Sequence, residues 1–269
     1  MEKPAGNGGF SIEKALEKEY NRRKEVFFMF DNEIIINEIK KYKYKIELHC
    51  HTKPASPCSE ILPERLVEAY KELGFDAVVL TNHYAGVVAD QHPSVDDYLD
   101  VYFGDYEKTK AAGEKVGLKV YLGLEARFRE NSNDYLVFGL DAKTAKSIYP
   151  YLEKDLATFR SEFKGDYVLI QAHPQRVGMT PMDNALLDGI EVFNMHPNHN
   201  SRIAYASRVA AANGGIITAG SDYHHENMAG TGAIRTKYLP GDEKALAELL
   251  RSGDYLMDVG GLTIIPRVL

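Results

Sequence analysis

The sequence predicts an α/β fold with a mostly parallel sheet, either doubly wound or closed into a barrel. Short apolar runs typical of strands alternate with longer amphipathic segments typical of helices along most of the chain. The length of 269 residues suits one large domain, because α/β barrels of this size are common. Polar residues also follow successive predicted strands, which is where such folds build their active sites.

The predicted elements follow one another without an internal repeat or a domain linker. Pro63 suits the first position of a helix that ends before Gly74, and Gly117 and Asn213 mark two further helix ends. Helices are predicted at residues 63–73, 95–116, 142–163 with an interruption near Pro150, 202–212 and 243–251. Strands are predicted at residues 44–48, 77–81, 119–124, 135–139, 167–172, 189–193 and 216–220.

Residues 1–43 differ from the rest and are predicted to form a helical N-terminal extension. Ser11 suits an N-cap, and Glu13 would meet the positive end of the helix dipole. Apolar residues then recur among charges at roughly helical spacing. The extension, broken near Asp31, would pack on the main domain, residues 44–269, or on a partner, where it could form a homo-oligomer contact.

The composition is that of an ordinary soluble chain, with 44% apolar and 26% charged residues and a formal net charge of −7. The acidic balance argues against a general nucleic-acid surface and favours a small substrate over long nucleic acid. No apolar run approaches the ~18–20 residues of a membrane helix, and residues 1–10 do not resemble a signal peptide. Two cysteines cannot form a disulfide scaffold, so a cytoplasmic location is the expectation.

The chain contains nine histidines, and several of them follow predicted strands together with carboxylates. In a β/α barrel all these strand ends open on one face. Histidines satisfied separately, the alternative interpretation, would not keep to one end of successive strands. The residues concerned are His49, His51, His83, Glu125, His173, Asn194, Asp222 and His224.

Imidazole and carboxylate together suit Zn²⁺, Mn²⁺ or Fe²⁺, whereas Mg²⁺ and Ca²⁺ prefer shells of oxygen. His49 and His51 would point to the same side of an extended strand, so the intervening Cys50 points away and is expected to be a packed thiol. Five histidines and two carboxylates exceed the three or four protein ligands of one catalytic zinc. Two or three ions are therefore expected, and Glu125 could bridge two of them.

The chain also resembles the PHP superfamily, named for polymerase and histidinol phosphatase. The resemblance covers roughly residues 44–225 and implies a distorted (β/α)7 TIM-like barrel, a two- or three-metal centre at the C-terminal ends of the strands, and hydrolysis of phosphate esters. It implies that one ion is held by His49, His51, Glu125 and Asp222, a second by Glu125 and His173, and a third by His83 and His224. The motifs that carry it are, in order, His49-x-His51, Thr81-Asn82-His83, Gly123-x-Glu125, Ala172-His173-Pro174 and Gly220-Ser221-Asp222-Tyr223-His224.

Three positions depart from the family pattern. Asn82 stands where the second motif usually has aspartate, and it is expected to support its neighbouring histidine rather than to bind metal. Cys58 lies near a place where many members carry a histidine, and it is either a thiolate ligand of the third ion or a buried free cysteine. The strand after Glu125 lacks a histidine, so the second ion would be weakly bound or completed by water or Asp134.

Other polar residues are candidates for contacts with the substrate. Arg176 closely follows His173 and suits bidentate phosphate binding, with a surface salt bridge as the alternative. His199 and Arg202 belong to a polar cluster after a strand, and they could grip a phosphate or protonate a leaving group. His225 is expected to point elsewhere.

These inferences predict a metal-dependent phosphoesterase, a phosphatase or phosphodiesterase that acts on a small phosphorylated metabolite or a nucleotide. A hydroxide bridging two ions would attack phosphorus in line with the leaving oxygen, and Glu125 and His224 are the candidate catalytic residues. His224 or His199 would assist the leaving group. The alternatives are an amidohydrolase-type hydrolase of C–N bonds and a PHP module that binds metal without catalysis.

Overall fold

The computed structural model describes residues 32–265, and it divides the chain into two compact units, Met1–Lys41 and Tyr42–Leu269. In the first unit the described helix is α1 (Asn32–Ile39). The Ser11 cap and the break near Asp31 fall outside the described residues. None of the described helices is long and apolar enough to cross a bilayer.

The second unit contains the predicted elements in their predicted order, with additions. Its helices are α2 (Pro63–Glu72), α3 (Gly86–Ala89), α4 (Val95–Val116), α5 (Ala142–Lys146), α6 (Tyr149–Leu152), α7 (Leu156–Glu162), α8 (Ile203–Asn213) and α9 (Glu243–Ser252), with a 3₁₀ turn at Asn184–Leu186. Its strands are β1 (Tyr44–Cys50), β2 (Ala77–Leu80), β3 (His83–Ala85), β4 (Lys119–Arg127), β5 (Tyr135–Phe138), β6 (Val168–Gln171), β7 (Gly189–Asn194), β8 (Ile216–Gly220), β9 (Gly232–Thr236), β10 (Leu256–Val259) and β11 (Leu262–Ile264).

Local capping rules explain where the helices begin and end. In α4 the Ser94 side chain accepts a backbone N–H at the N-cap, and Gly117 adopts a left-handed conformation at the C-cap with φ 70°. The helical segment expected at residues 142–163, with an interruption near Pro150, consists of three short helices, α5 to α7. Asp141 and Asp155 each cap a separate helix start, which divides this segment.

The strands form one curled sheet in the order β11-β10-β9-β1-β2-β4-β5-β6-β7-β8, with β3 beside β4. The sheet is mixed rather than mostly parallel. β5 runs antiparallel to both β4 and β6, and β9 to β11 add an antiparallel edge next to β1. The connection from β4 to β5 is too short for a crossover helix, so β5 must return antiparallel. The α/β class is confirmed, whereas the count of seven β/α units stays a prediction.

The strands that lead to the expected site are buried on both faces, as in sheets covered by helices. Every residue of β1 from Ile46 to Cys50 is buried, and so are all four residues of β2. Helix α4 braces the ends of these strands through two phenols. Tyr98 donates a hydrogen bond to the carbonyl of His83, and Tyr102 donates one to the carbonyl of Asn82, each at 2.9 Å. The backbone that carries His83 is therefore held from behind.

Candidate metal centre

The seven side chains expected to bind metal meet at one end of the sheet. Within each of four groups the donor atoms lie within 4.8 Å of one another, which is close enough to share an ion. Five of the seven side chains line a cavity of about 240 Å³. The groups are His49, His51 and Asp222; His49, Glu125 and His173; His51, His83 and His224; and His83, Glu125 and Asp134.

His49 and His51 point to the same side of β1, as the alternation of a strand requires. His49 Nε2 lies 3.2 Å from Glu125 and 3.4 Å from Asp222. His51 Nε2 lies 3.5 and 3.4 Å from the same two carboxylates. Cys50 between them is buried, and its thiol donates to the carbonyl of Val79 at 3.3 Å. This thiol therefore packs away from the cluster.

Hydrogen-bond acceptors orient two of the imidazoles of the cluster through their Nδ1 atoms. His49 Nδ1 donates to a carboxylate oxygen of Glu191 at 2.9 Å, and His224 Nδ1 donates to the carbonyl of Asp222 at 2.9 Å. A carboxylate and a carbonyl can only accept, so whenever one of these rings is neutral, as a metal ligand must be, its proton is on Nδ1 and the lone pair is on Nε2. Metal-binding imidazoles are commonly oriented in this way by an acceptor on the second nitrogen.

Asn82 organises the loop after β1 and acts on His51. Its side chain accepts the Thr52 backbone N–H at 2.7 Å and the Ser56 hydroxyl at 2.9 Å, and it donates to Asp105 at 2.9 Å. Since the Ser56 proton goes to Asn82, His51 Nδ1 is the donor in its 3.1 Å contact with the same hydroxyl. The lone pair on His51 Nε2 therefore stays available to the cluster.

The buried polar atoms at the centre of the cluster fit divalent ions. His49 Nε2 and His51 Nε2 have no hydrogen-bond partner among the described residues, although both are buried. An unpaired buried polar atom costs free energy, so these atoms need a further partner. Imidazole nitrogens beside the carboxylates of Glu125 and Asp222 are a donor set that suits Zn²⁺, Mn²⁺ or Fe²⁺.

Glu125 lies in the middle of the cluster, and its two oxygens face different histidines. Oε1 lies 3.1 Å from His173 Nε2 and 3.2 Å from His49 Nε2, while Oε2 lies 2.6 Å from His83 Nδ1. Burial acts to raise the pKa of Glu125, but the charges of His83 and His49 outweigh it and hold this pKa well below its usual range. The Glu125 carboxylate therefore stays ionised. Its Oε1 faces His49 and His173, and its Oε2 faces His83.

Two cluster residues have a backbone conformation that non-glycine residues rarely adopt. His173 and Asp222 lie in the left-handed region, with φ 31° and φ 53°. Each lies two residues beyond the end of its strand, β6 or β8. Such a conformation costs free energy and persists only where the surrounding interactions hold it. It is found most often at functional sites.

Cys58 lies on the open side of the cluster. The residue is exposed, so the alternative of a buried free cysteine is wrong. Its sulfur lies 3.2 Å from His83 Nε2. Desolvation of the sulfur acts to raise the pKa of the thiol, but hydrogen bonds with His224 and His83 lower it to about 6. A thiolate therefore lies beside two of the histidines expected to bind a third ion.

Asp134 lies near the position where a further ligand was expected. One of its oxygens lies 3.8 Å from His173 Nε2, and the side chain belongs to the group with His83 and Glu125. Arg127 forms two hydrogen bonds of 2.7 Å to this carboxylate and also lines the cavity. Arg127 was not predicted as a site residue, although its position two residues after Glu125 on β4 places both on the same face of the strand.

The three residues predicted to contact the substrate do not all line the same cavity. Arg176 and His199 both line the cavity. The guanidinium of Arg176 forms a salt bridge with Asp222 at 2.6 Å, and the side chain is partly buried, so this salt bridge lies at the cavity wall, while phosphate binding by Arg176 stays a prediction. Arg202 instead lines an adjoining cleft of about 540 Å³, which shares His196 and His199 with the cavity.

Three further residues that support or line the site were missed or misplaced by the sequence analysis. Glu191, which orients His49, also accepts the backbone N–H of His173 at 3.1 Å. A charged residue inside the apolar run of β7 is a signal of such a role, since buried carboxylates are rare unless paired. His196 is buried and lines the cavity. His225, which was expected to point elsewhere, also contributes to the cavity wall.

Comparison with known proteins gives a family match and several similar folds. A model of the PHP domain matches residues 47–205. No curated protein matches the sequence. The fold is similar to that of a two-domain protein containing predicted PHP-like metal-dependent phosphoesterase from Bacteroides vulgatus ATCC 8482, at 16% identity and a TM-score of 0.55, over 82% of this chain and 66% of that one.

Two other solved structures show the same likeness. PsfC from Pseudomonas syringae PB-5123 is 18% identical with a TM-score of 0.54, over 76% of this chain and 87% of that one. The lesion-specific endonuclease PfuEndoQ from Pyrococcus furiosus is 12% identical with a TM-score of 0.52, over 78% of this chain and 56% of that one. At these identities the likeness shows the fold alone.

Proposed function

This chain belongs to the PHP family, and on that premise we propose that it hydrolyses phosphate esters with a centre of two or three divalent ions. The observation that carries the proposal is the convergence of five histidines, Glu125 and Asp222 beside one cavity. When bound, the ions would supply Lewis acidity and an activated water for attack on phosphorus. Zn²⁺, Mn²⁺ and Fe²⁺ suit the mixture of imidazole and carboxylate.

The proposed ligand sets are the three that the family resemblance implies, with Asp134 and Cys58 added. Glu125 belongs to more than one set, because its two oxygens face different histidines. Cys58 joins the third set through its contact with His83. The first set is His49, His51, Glu125 and Asp222, the second is Glu125 and His173 with Asp134 beside them, and the third is His83, His224 and Cys58.

Arg176 would orient the substrate. Its Nε atom is buried and has no hydrogen-bond partner among the described residues, and the residue lines the cavity. A guanidinium there can donate to a phosphoryl oxygen in a fixed direction. Charge that develops on the phosphoryl group would meet this fixed cation without reorganisation of water.

A histidine on the cavity wall would protonate the leaving oxygen. His224 and His199 both line the cavity. His224 belongs to a group of candidate metal ligands, whereas His199 belongs to none among the described residues. His199 therefore stays free to move a proton when the cluster is loaded, and we favour it for this role.

The dimensions of the site support a small substrate. A cavity of about 240 Å³ receives a phosphoryl group and the first atoms of the leaving group. The adjoining cleft of about 540 Å³, which carries Arg202, receives the remainder. Together they correspond to the size of ordinary small-molecule sites, so we propose a phosphorylated metabolite or a nucleotide as substrate.

The test is elemental analysis of protein purified without chelator, followed by turnover assays with Mn²⁺, Zn²⁺ and Fe²⁺. Phosphate monoesters, dinucleotides and cyclic amides are compared with the same loaded protein. We expect two or three ions per chain and hydrolysis of phosphate esters. Turnover of the amides alone would favour C–N hydrolysis, and bound metal without any turnover would favour a non-catalytic module.

A further inference from the structure

We propose that Glu47 is a positioning residue that joins the first strand to the end of β8 and thereby sets the spacing between His49 and Asp222. The inference rests on the proposed function only in that it assumes a metal ion between these two side chains. Glu47 lies within β1, is completely buried, and does not itself belong to any group of candidate ligands among the described residues.

A gap in the sheet makes such a residue necessary. The hydrogen-bonded order of the described strands ends at β8, and β1 pairs with β2 and β9 instead. Beyond the end of β8 the backbone contacts are few: His51 N–H donates to the Tyr223 carbonyl at 3.0 Å, and Tyr223 N–H donates to the His49 carbonyl at 3.4 Å. His49 and Asp222 lie on opposite sides of this gap, which we call the seam.

The carboxylate of Glu47 supplies hydrogen bonds across the seam. Oε1 accepts the backbone N–H of Ser221 at 2.9 Å. The same oxygen accepts two N–H groups of its own strand, from Leu48 at 3.0 Å and His49 at 2.9 Å. Oε2 accepts the Tyr70 hydroxyl at 2.8 Å. One side chain thus accepts three buried backbone N–H groups, two on β1 and one beyond the end of β8.

The position of these bonds connects them directly to the ligands. Of the three anchored residues, His49 is itself a candidate ligand, and Ser221 immediately precedes Asp222. His49 Nε2 and Asp222 Oδ1 lie 3.4 Å apart across the seam. Gly220 permits this close approach, because a Cβ there would lie 2.5 Å from the Cβ of His49. A substitution of Glu47 would therefore increase the distance between the two metal-binding atoms, His49 Nε2 and Asp222 Oδ1.

The experiment compares Glu47→Gln with Asp258→Asn. Asp258 is an equally buried carboxylate, but it lies on β10 and is bound by Arg235 and Gly261 rather than by cluster residues. We measure Zn²⁺ and Co²⁺ affinity by chelator competition, the visible spectrum of the Co²⁺ protein, and thermal unfolding of the metal-free proteins. Glu47→Gln should weaken binding of one ion by about 10- to 100-fold and alter the Co²⁺ spectrum. Asp258→Asn should lower the unfolding temperature but leave both metal readouts unchanged.

Tyr70→Phe provides a second test if Glu47→Gln fails to fold. It removes the Tyr70 hydroxyl, which lies 2.8 Å from the Glu47 carboxylate and 2.7 Å from the Ser221 hydroxyl. The Glu47 carboxylate itself remains. We expect a several-fold loss of affinity for the same ion. Wild-type affinity and spectrum in folded Glu47→Gln, or in Tyr70→Phe where Glu47→Gln does not fold, would overturn the positioning role. A wild-type protein that binds no metal would instead overturn the proposed function.

Discussion

On the buried side of the metal cluster, His49 and His173 are 0% and 2% exposed, and both are bound by the same carboxylate, Glu191. On the open side, His83 is 21% exposed, and it faces the cavity and the thiol of Cys58. One side of the cluster is therefore held by a buried charge, whereas the other is accessible from the cavity. We therefore expect tight, slowly exchanging ions on the buried side and a more weakly held ion on the open side.

The largest effect is expected from removing a ligand that the buried side cannot replace. Asp222→Asn or His51→Ala should lower the number of bound ions and reduce turnover by more than about 100-fold, because both residues contact the shared centre. Elemental analysis, turnover assays and circular dichroism check this expectation. Asp254→Asn, which removes an exposed partner of Lys237, is the matched control and should leave activity unchanged. Full activity in Asp222→Asn would contradict the assignment.

A smaller effect is expected from weakening the support of the buried side. Glu191→Gln removes the charge that orients His49 Nδ1 at 2.9 Å. Metal affinity should fall by about 10- to 100-fold, as for other acceptors that orient metal-bound imidazoles. Competition with a chelator measures this, and Glu226→Gln, at an exposed salt bridge with Arg65, serves as the control. Equal affinities in the two variants would show that the buried carboxylate is unimportant for binding.

Cys58→Ser tests the open side alone. A thiolate favours Zn²⁺ over Mn²⁺, whereas a hydroxyl does not, so the variant should bind one Zn²⁺ several-fold more weakly and bind Mn²⁺ almost as before. Titrations with each metal, followed by elemental analysis, give both affinities. If the variant lost every ion equally, the distinction between the two sides would be wrong.

The last effect concerns protein stability rather than metal binding, and it arises in the hydrogen-bond network behind His51. Burial raises the pKa of Asp105 to about 6, although hydrogen bonds from Thr52 and Asn82 act to lower it. The folded protein therefore retains this proton between about pH 4 and 6 while the unfolded chain loses it, so Asp105 makes the protein less stable as pH rises through that window. The loss amounts to at most about 3 kcal/mol.

Asp105→Asn should remove this dependence. We expect the difference in unfolding free energy between wild type and variant to change between pH 4 and 6 and to be constant above pH 7. Urea unfolding of the metal-free proteins at several pH values provides the measurement. If the unfolding free energies of wild type and Asp105→Asn differed by the same amount at every pH, the raised pKa of Asp105 would be contradicted.

Many of the helices and strands could be predicted because the sequence signals for them are local. The bounds of α4 follow from Ser94 and Gly117, and the site residues follow apolar runs whose strand character is readable from the sequence. The antiparallel return of β5 and the added strands β9 to β11 depend on pairing between distant segments, which no local pattern determines. An interruption near Pro150 was predicted for residues 142–163, whereas their division into three short helices was not, because the apolar spacing on either side of the break resembles that of a helix.

The support of the site was harder to predict than its ligands. Histidine is a conspicuous metal ligand at the end of a strand, whereas the roles of Glu47 and Glu191 depend on partners far away in sequence. Glu47 binds Ser221, 174 residues later, and Glu191 binds His49, 142 residues earlier. The placement of Arg202 in a neighbouring cleft likewise depends on the path of the loop after β7.

One wall of the cavity is built by a hairpin, since Arg127 and Asp134 flank the short turn between β4 and the antiparallel β5. Surface turns of this kind accept insertions and deletions more readily than the strands they join. The entrance can therefore be widened or narrowed during evolution residue by residue, while the ligands on β1 and after β8 keep their positions. Divergence in substrate size does not require any redesign of the metal-binding frame.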